Sequence, residues 1–430
     1  MQSNIKNGAV NGRLDPAMLL LQYERVRRFT EFLCRPLNIE DYVVQPMADA
    51  SPAKWHLAHT TWFFERFVMQ AADPHHEPLK PHYYYLFNSY YQLAGKMHPH
   101  AQRGMITRPT VAEVCDYRRA IDELMTRLLQ NGTGRTLHEI LPLVELGLHH
   151  EQQHQEHILT DLKYLFWLNP MKPAYGEPPK PAAAAPPPLS WQTYPEGIQS
   201  IGHEADSFAY DNERPRHRVF LNPFKLAMRL VTCGEYLEFM NGGGYDKPEL
   251  WLADGWDCKN ESGWRAPLYW ELQDNGWHQF TLGGMRPLDP REPVAHVSHY
   301  EADAYARWAG ARLPLEAEWE IAAAAGPIEG NFVEEGRLHP AAPAKPVNGS
   351  PAQIFGDAWE WTASPYTPYP GFRPAGGPIG EYNGKFMCNQ MVLRGGSCFT
   401  SRSHIRPTYR NFFQPDERWQ MTGIRLANEG

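Results

Sequence analysis

Cysteine is scarce and unpatterned: Cys34, Cys115, Cys233, Cys258, Cys388 and Cys398 are scattered over 430 positions with no CxxC pair. That argues against a disulfide framework or a zinc ribbon and leaves reduced, mostly buried thiols as the expectation. Long apolar runs are missing as well. None approaches the ~20 residues that a membrane helix needs, and the opening MQSNIKNGAVNGRLDPAM lacks the charged-then-apolar pattern of a secretory signal. No membrane partner and a cytoplasmic location are therefore expected. Nor is there an excess of positive charge. Lys and Arg number 41 against 49 Asp and Glu, a formal net charge of -8, so there is no electrostatic reason to expect nucleic acid. What the chain does have, 42% hydrophobic and 13% aromatic residues, can bury a sizeable core and suits an enzyme of small molecules.

Length alone would allow about three domains, but the texture of the chain argues for two. The stretch KPAYGEPPKPAAAAPPPLS, residues 172–190, is rich in Pro and Ala and reads as a linker between residues 1–171 and residues 191–430. Before it the periodicity is helical. Asp15-Pro16 and Ser51-Pro52 give helix starts, Thr110 with Glu113 and Thr136 with Glu139 give capping boxes, and Pro142 marks a kink or a delayed start. Four amphipathic helices with a long excursion between the second and third predict a four-helix bundle. After the linker come short apolar runs, many Gly, Pro, Asn and Asp, and one clear helix near His299 to Ala309, which predicts a loop-rich α+β domain.

Histidine, with 19 copies, carries the chemistry. In LGLHHEQQHQEHILTD, residues 146–161, His150 and His154 stand four apart, ~40° around a helix, so both rings can face one point. Leu143, Gly147, His150, His154, His157 and Asp161 trace one face, which in a bundle should look inward. A third ligand should come from another helix. His59 is the best candidate, lying among Trp55, Trp62 and Phe63 where an unpaired imidazole would be costly; His56 is the fallback. His157 could substitute, whereas Glu156, ~200° round the helix from His154, is a poor ligand. Three neutral imidazoles suit zinc, copper, iron or nickel, and ligand type does not choose among them.

Two sets of residues carry a family resemblance. WHLAHTTWFFERF (55–67) and LHHEQQHQE (148–156) resemble motifs of the DinB-like helical domain of ergothioneine-pathway sulfoxide synthases. PVAHVSHYEADAYARWAGARLPLEAEWEIAAAAG (293–326), FGDAWEWTAS (355–364), VLRGGSCFTSRSHIRP (392–407) and TGIRLA (422–427) resemble the formylglycine-generating-enzyme domain, a variant of the C-type lectin fold. The order of the two halves is specific, and the resemblance covers nearly the whole chain apart from the linker. It implies an α plus α+β protein, a DinB-like four-helix bundle followed by a C-type-lectin-like domain. It also implies iron(II) on His59, His150 and His154, hercynine as acceptor, cysteine or γ-glutamylcysteine as thiol donor, and dioxygen-dependent formation of a C–S bond with oxidation of the sulfur to a sulfoxide. Three neutral ligands in a facial arrangement leave room on one ion for thiolate, imidazole and dioxygen.

Further roles follow from the resemblance. Gln153 matches the position that hydrogen-bonds the acceptor imidazole, and Asn411, Phe412 and Phe413 fall in the segment that holds the betaine, for which aromatic rings are good neighbours. Tyr91, then Tyr90, in LFNSYYQLAG are the expected proton donors, with Tyr366 and Tyr369 as the corresponding choices in the lectin-like half. Arg103 is a candidate clamp for the carboxylate of the thiol substrate. Thr400 and Ile405 stand where formylglycine-generating enzymes carry a cysteine pair, so copper chemistry of that kind is not expected. Other readings on the same scaffold are a 5-histidylcysteine sulfoxide synthase of the ovothiol type, a metal-dependent thiol transferase that uses no oxygen, and a non-catalytic binding protein.

Overall fold

The computed structural model describes residues 9–10, 13–181, 185–343 and 350–430. The first eight residues of the N-terminal stretch and residues 182–184 of the Pro/Ala-rich segment lie outside it. The rest of that segment forms neither helix nor strand. Two compact units emerge: one of residues 1–168 with 205–208 and 375–382, the other of 169–204, 209–374 and 383–430.

In the first unit Asp15 caps helix α1 (Pro16–Cys34) by accepting the Ala17 amide at 2.9 Å. Helix α2 (Ala53–Phe63) begins without a side-chain cap. Ser51 does not cap it, because its amide donates to Asp161 and its hydroxyl accepts from Arg103. All eleven residues of α2 are buried, so this helix is a central rod rather than an amphipathic one. It runs on into a π-helical stretch, Phe64–Met69, a local widening that recurs beside functional sites. The Thr110/Glu113 box forms as expected and opens α3 (Val111–Asn131). The Thr136/Glu139 box does not. Helix α4 (Gly134–Leu168) has already begun two residues earlier, Glu139 pairs with Arg135, and the helix continues through Pro142.

Between the helices lies a buried charge cluster. Glu151 of α4 accepts from Arg27 at 2.8 Å, Arg118 at 2.6 Å and Thr30 at 2.6 Å, which ties α1, α3 and α4 together. Gly147 lets α4 approach α2, since a Cβ there would sit 2.6 Å from the Phe64 ring and 3.1 Å from the Phe63 ring.

Among its described residues the second unit holds four helices of nine or ten residues, not one: α5 (Cys233–Asn241), α6 (Ala253–Glu261), α7 (His299–Trp308) and α8 (Glu316–Ala324). Three of these are too short to declare themselves by periodicity, although Thr232 with Glu235 is a capping box that could have announced α5. Strands β1 (Trp191–Tyr194), β2 (Gly197–Ile201), β3 (His217–Leu221), β4 (Phe224–Ala227), β5 (Trp270–Gln273), β6 (Gly276–Thr281), β7 (Gly284–Pro287), β8 (Trp359–Pro365), β9 (Met391–Arg394), β10 (Asn411–Phe413), β11 (Thr422–Gly423) and β12 (Ala427–Glu429) form small sheets. Their orders are β10-β9-β8-β11, β12-β4-β1, β2-β3 and β5-β6-β7. Trp319, Trp359 and Trp361 anchor the core, and a fully buried Arg425–Glu360 pair crosses it at 2.7 Å.

All six cysteines are free, but only Cys34, Cys233 and Cys398 are buried; Cys115 and Cys258 are half-buried and Cys388 is exposed. Among the described residues no helix is long and apolar enough to cross a membrane.

Candidate metal centre

His59, His150 and His154 come together in the first unit, their ligand nitrogens all within 4.8 Å of one another. Helix α4 supplies two of them because four residues make little more than one turn, and α2 supplies the third. The ring of His59 is stacked on Trp55, centroids 4.5 Å apart, and on Trp62, 5.5 Å apart. That of His150 lies against Phe63 at 4.6 Å. Apolar packing thus fixes ring orientation before any ion binds.

The nitrogens that meet are all Nε2: His59 to His150 at 3.2 Å and His154 to His150 at 3.1 Å. The other ring nitrogen fixes the tautomer of His59. His59 Nδ1 donates to the Phe87 carbonyl at 2.6 Å, which leaves its Nε2 a bare lone pair. His154 Nδ1 faces His56 Nδ1 at 2.8 Å. His150 Nδ1 is buried and has no hydrogen-bond partner among the described residues. Without an ion, a proton on His150 Nε2 could bridge only one of the two short gaps, and the other would oppose two lone pairs at close range. A cation removes that conflict. Two nitrogens bound side by side to one ion at ~2.1 Å lie about 3 Å apart, close to what is seen.

Protonation offers no alternative way out. Burial, together with the neighbouring imidazoles, holds His59 and His154 well below the usual histidine range, and burial takes His150 down to about 3. Neutral imidazoles are what a transition metal binds. The donor set therefore fits a first-row metal ion, without choosing among them.

His56 is not an alternative ligand. One of its ring nitrogens meets the back of His154 and the other meets Asp161 at 3.0 Å. His157 packs beside both rings, 6.2 Å from His56 and 5.5 Å from His154, and does not join the group.

Other expected site residues belong to the same unit. Tyr91 is buried with its ring 5.9 Å from Trp62 and 5.1 Å from Phe67, and burial pushes its phenol above the usual range, so it holds its proton at neutral pH. Tyr90 lies nearer His100 and Tyr382, at 6.4 and 6.2 Å. Arg103 lies 3.5 Å over Trp55, on the indole that also stacks on His59. Its guanidinium donates to Ser51 and Ser89, both at 2.9 Å, keeps Nε unpartnered, and makes no ion pair among the described residues. Burial lowers it to about 10, with Tyr90 and Asp161 opposing. Gln153 hydrogen-bonds the phenol of Tyr382. Sequence reasoning missed Tyr382, which lies in a Gly/Pro-rich segment over two hundred positions from its partner with no local pattern to announce it.

Asn411, Phe412 and Phe413 belong to the second unit, on edge strand β10 paired with β9. Phe412 stacks on Tyr366 at 4.1 Å, and Asn411 uses its side-chain oxygen to accept the Phe412 amide. The phenol of Tyr366 accepts from Asn212 and that of Tyr369 from Arg394, so both are engaged in holding this unit together.

Comparison with known proteins agrees with this organisation. Residues 22–158 match the DinB superfamily, and residues 192–350 and 349–430 match the sulfatase-modifying factor enzyme 1-like domain. The chain is 31% identical to a hercynine oxygenase of Mycolicibacterium thermoresistibile over 422 residues, spanning 88% of this chain and 87% of that protein. It is 30% identical to a hercynine oxygenase of Mycobacterium tuberculosis, spanning 88% and 91%. Ergothioneine biosynthesis protein 1 of Schizosaccharomyces pombe matches at 29% over 233 residues, 51% of this chain and 27% of that protein.

Proposed function

The chain belongs to the hercynine oxygenase family and is an oxidoreductase of ergothioneine biosynthesis, and on that footing we propose that it is an iron(II)-dependent sulfoxide synthase joining hercynine to cysteine or γ-glutamylcysteine with dioxygen. The observation that carries this reading is the convergence of three histidine Nε2 atoms from two helices in a chain whose relatives are hercynine oxygenases.

The net reaction balances. The imidazole C–H and the thiol S–H give up two electrons to form the C–S bond, and the sulfur gives up two more as it becomes a sulfoxide. Dioxygen takes all four; one of its atoms ends on sulfur and the other leaves as water. When bound, iron(II) supplies the common point for both substrates and the oxidant and the path for those electrons.

The protein's share is orientation and proton supply. Tyr91, neutral and buried one ring away from His59, is the proton donor for the reduction of oxygen. Arg103, a buried cation that makes no ion pair among the described residues, is suited to the carboxylate of the thiol substrate, and the Trp55 indole sets it beside the histidines. Gln153 holds the acceptor imidazole, and Asn411, Phe412 and Phe413 receive the trimethylammonium end.

Oxygen uptake and product mass test the proposal directly. The anaerobically iron-loaded enzyme is given hercynine with cysteine, hercynine with γ-glutamylcysteine, and histidine with cysteine. A sulfoxide formed from hercynine with one oxygen consumed per product is expected. Turnover with histidine alone would move the assignment to an ovothiol-type synthase, and C–S coupling without oxygen uptake would make the protein a thiol transferase.

A further inference from the structure

The histidine set has a backing that the proposed reaction does not use. Behind His154, on the side away from His59 and His150, two further polar groups stand in line. His56 of α2 approaches His154 Nδ1 through its own Nδ1 at 2.8 Å, and its Nε2 lies 3.0 Å from Asp161 Oδ2. The same carboxylate oxygen accepts the Ser51 amide at 2.9 Å, just ahead of α2. His56 is 3% exposed and Asp161 8% exposed. Water competes poorly for these contacts.

Only one distribution of protons satisfies the row with neutral imidazoles. A carboxylate can only accept, so His56 Nε2 carries the hydrogen and donates to Asp161. A neutral imidazole has a single ring proton, so His56 Nδ1 is then an acceptor. Its neighbour, His154 Nδ1, must donate to it. That leaves His154 Nε2 with a lone pair aimed at the other two histidines. The charge on Asp161 thus fixes the tautomer of a ring that it does not touch.

We infer that Asp161 and His56 are positioning residues that lock His154 in its metal-binding tautomer and raise its basicity, so that part of the affinity of the centre is set two residues away from it. The inference rests on the metal-centre reading above. Partners of this kind typically contribute ~10- to 100-fold in metal affinity. The backing is also asymmetric. His59 Nδ1 meets the Phe87 carbonyl at 2.6 Å and His150 Nδ1 has no hydrogen-bond partner among the described residues, whereas the row behind His154 ends on a carboxylate.

Cobalt(II) titration with a competing chelator tests this without turnover, on the full chain. Asp161→Asn keeps the side-chain volume and removes the charge; His56→Leu removes the link. Both should weaken cobalt(II) binding by about 10- to 100-fold and alter the visible ligand-field bands, while His154→Ala loses the site. If Asp161→Asn and His56→Leu bind within about twofold of wild type while His154→Ala does not bind, the relay is refuted and the metal centre stands. If His154→Ala binds like wild type, the metal-centre reading fails first and the relay with it. Wild-type protein loaded with zinc and labelled with nitrogen-15 on histidine needs no variant to fold. A proton on His154 Nδ1 and one on His56 Nε2 support the row, and a His56 proton on Nδ1 overturns it.

Discussion

Gly147→Ala puts the local packing to a quantitative test. A Cβ at this position would lie 2.6 and 2.9 Å from two carbons of the Phe64 ring and 3.1 Å from the Phe63 ring, where ordinary carbon contact begins at about 3.5 Å. Neither ring has room to retreat. Phe64 is fully buried, with Tyr23 edge-on at 4.9 Å and the Arg27 guanidinium 5.5 Å over its face, and Phe63 is 1% exposed. Alanine in a helix interior gains ~1 kcal/mol over glycine. Overpacking of a filled core costs ~1–3 kcal/mol, and with two rings affected the upper half of that range applies. The net expectation is a loss of about 1–2 kcal/mol, read from the denaturant midpoint of the metal-free protein. Because Phe63 lies against His150 at 4.6 Å, the same displacement should also loosen cobalt(II) binding. A variant that is as stable as wild type and binds cobalt(II) equally well would show that α4 does not need its close approach to α2.

Three further outcomes are expected. Tyr91→Phe should slow sulfoxide formation far more than it raises the KM for either substrate, checked by steady-state kinetics and product mass; an unchanged rate and product ratio would move the proton donor to another tyrosine. Glu151→Gln should destabilise the protein by ~3–5 kcal/mol, because Arg27 and Arg118 would remain buried around a neutral amide; although burial raises Glu151, these two arginines and Thr30 outweigh it and hold the carboxyl down to about 2. Metal-free protein should lose stability as pH falls below ~6.5, since burial holds His56 and His150 down to about 3 and His157 to about 4 while the unfolded chain takes up protons at the ordinary value. Each such group adds up to ~1.4 kcal/mol per pH unit, so a denaturation midpoint that stays flat from pH 7 to 5 would contradict the buried, neutral state of these rings.

How much of this was legible in the sequence depended on whether the relevant spacing was local. His150 and His154 could be paired from one helical turn, and His59 could be chosen over His56 because an imidazole among tryptophans needs a reason to be there. The roles that failed to show were those decided by how one helix lies against another. His56 read as a spare ligand because it shares the face of His59, yet the register of α2 against α4 turns it to the back of His154 and onto Asp161. Ser51 and Thr136 looked like caps because their residue types cap helices in general, and each was overruled by a neighbour: Arg103 and Asp161 claim the one, and an earlier start of α4 absorbs the other.

That division bears on which parts of the site can be trusted to persist in a variant. Ligands fixed by helical spacing move only if the helix moves, so His150 and His154 should keep their relation under most surface changes. The tautomers are another matter, since they depend on contacts between separate elements: Phe87 with α2 for His59, and α2 with α4 for His154. A substitution that shifts α2 far enough to break these contacts leaves all three imidazoles present and removes what fixes which nitrogens are bare. Affinity for the metal is therefore expected to respond to packing between α2 and α4, as at Gly147, sooner than the fold does, and the positions that would reveal it are buried residues where these two helices meet rather than the ligands themselves.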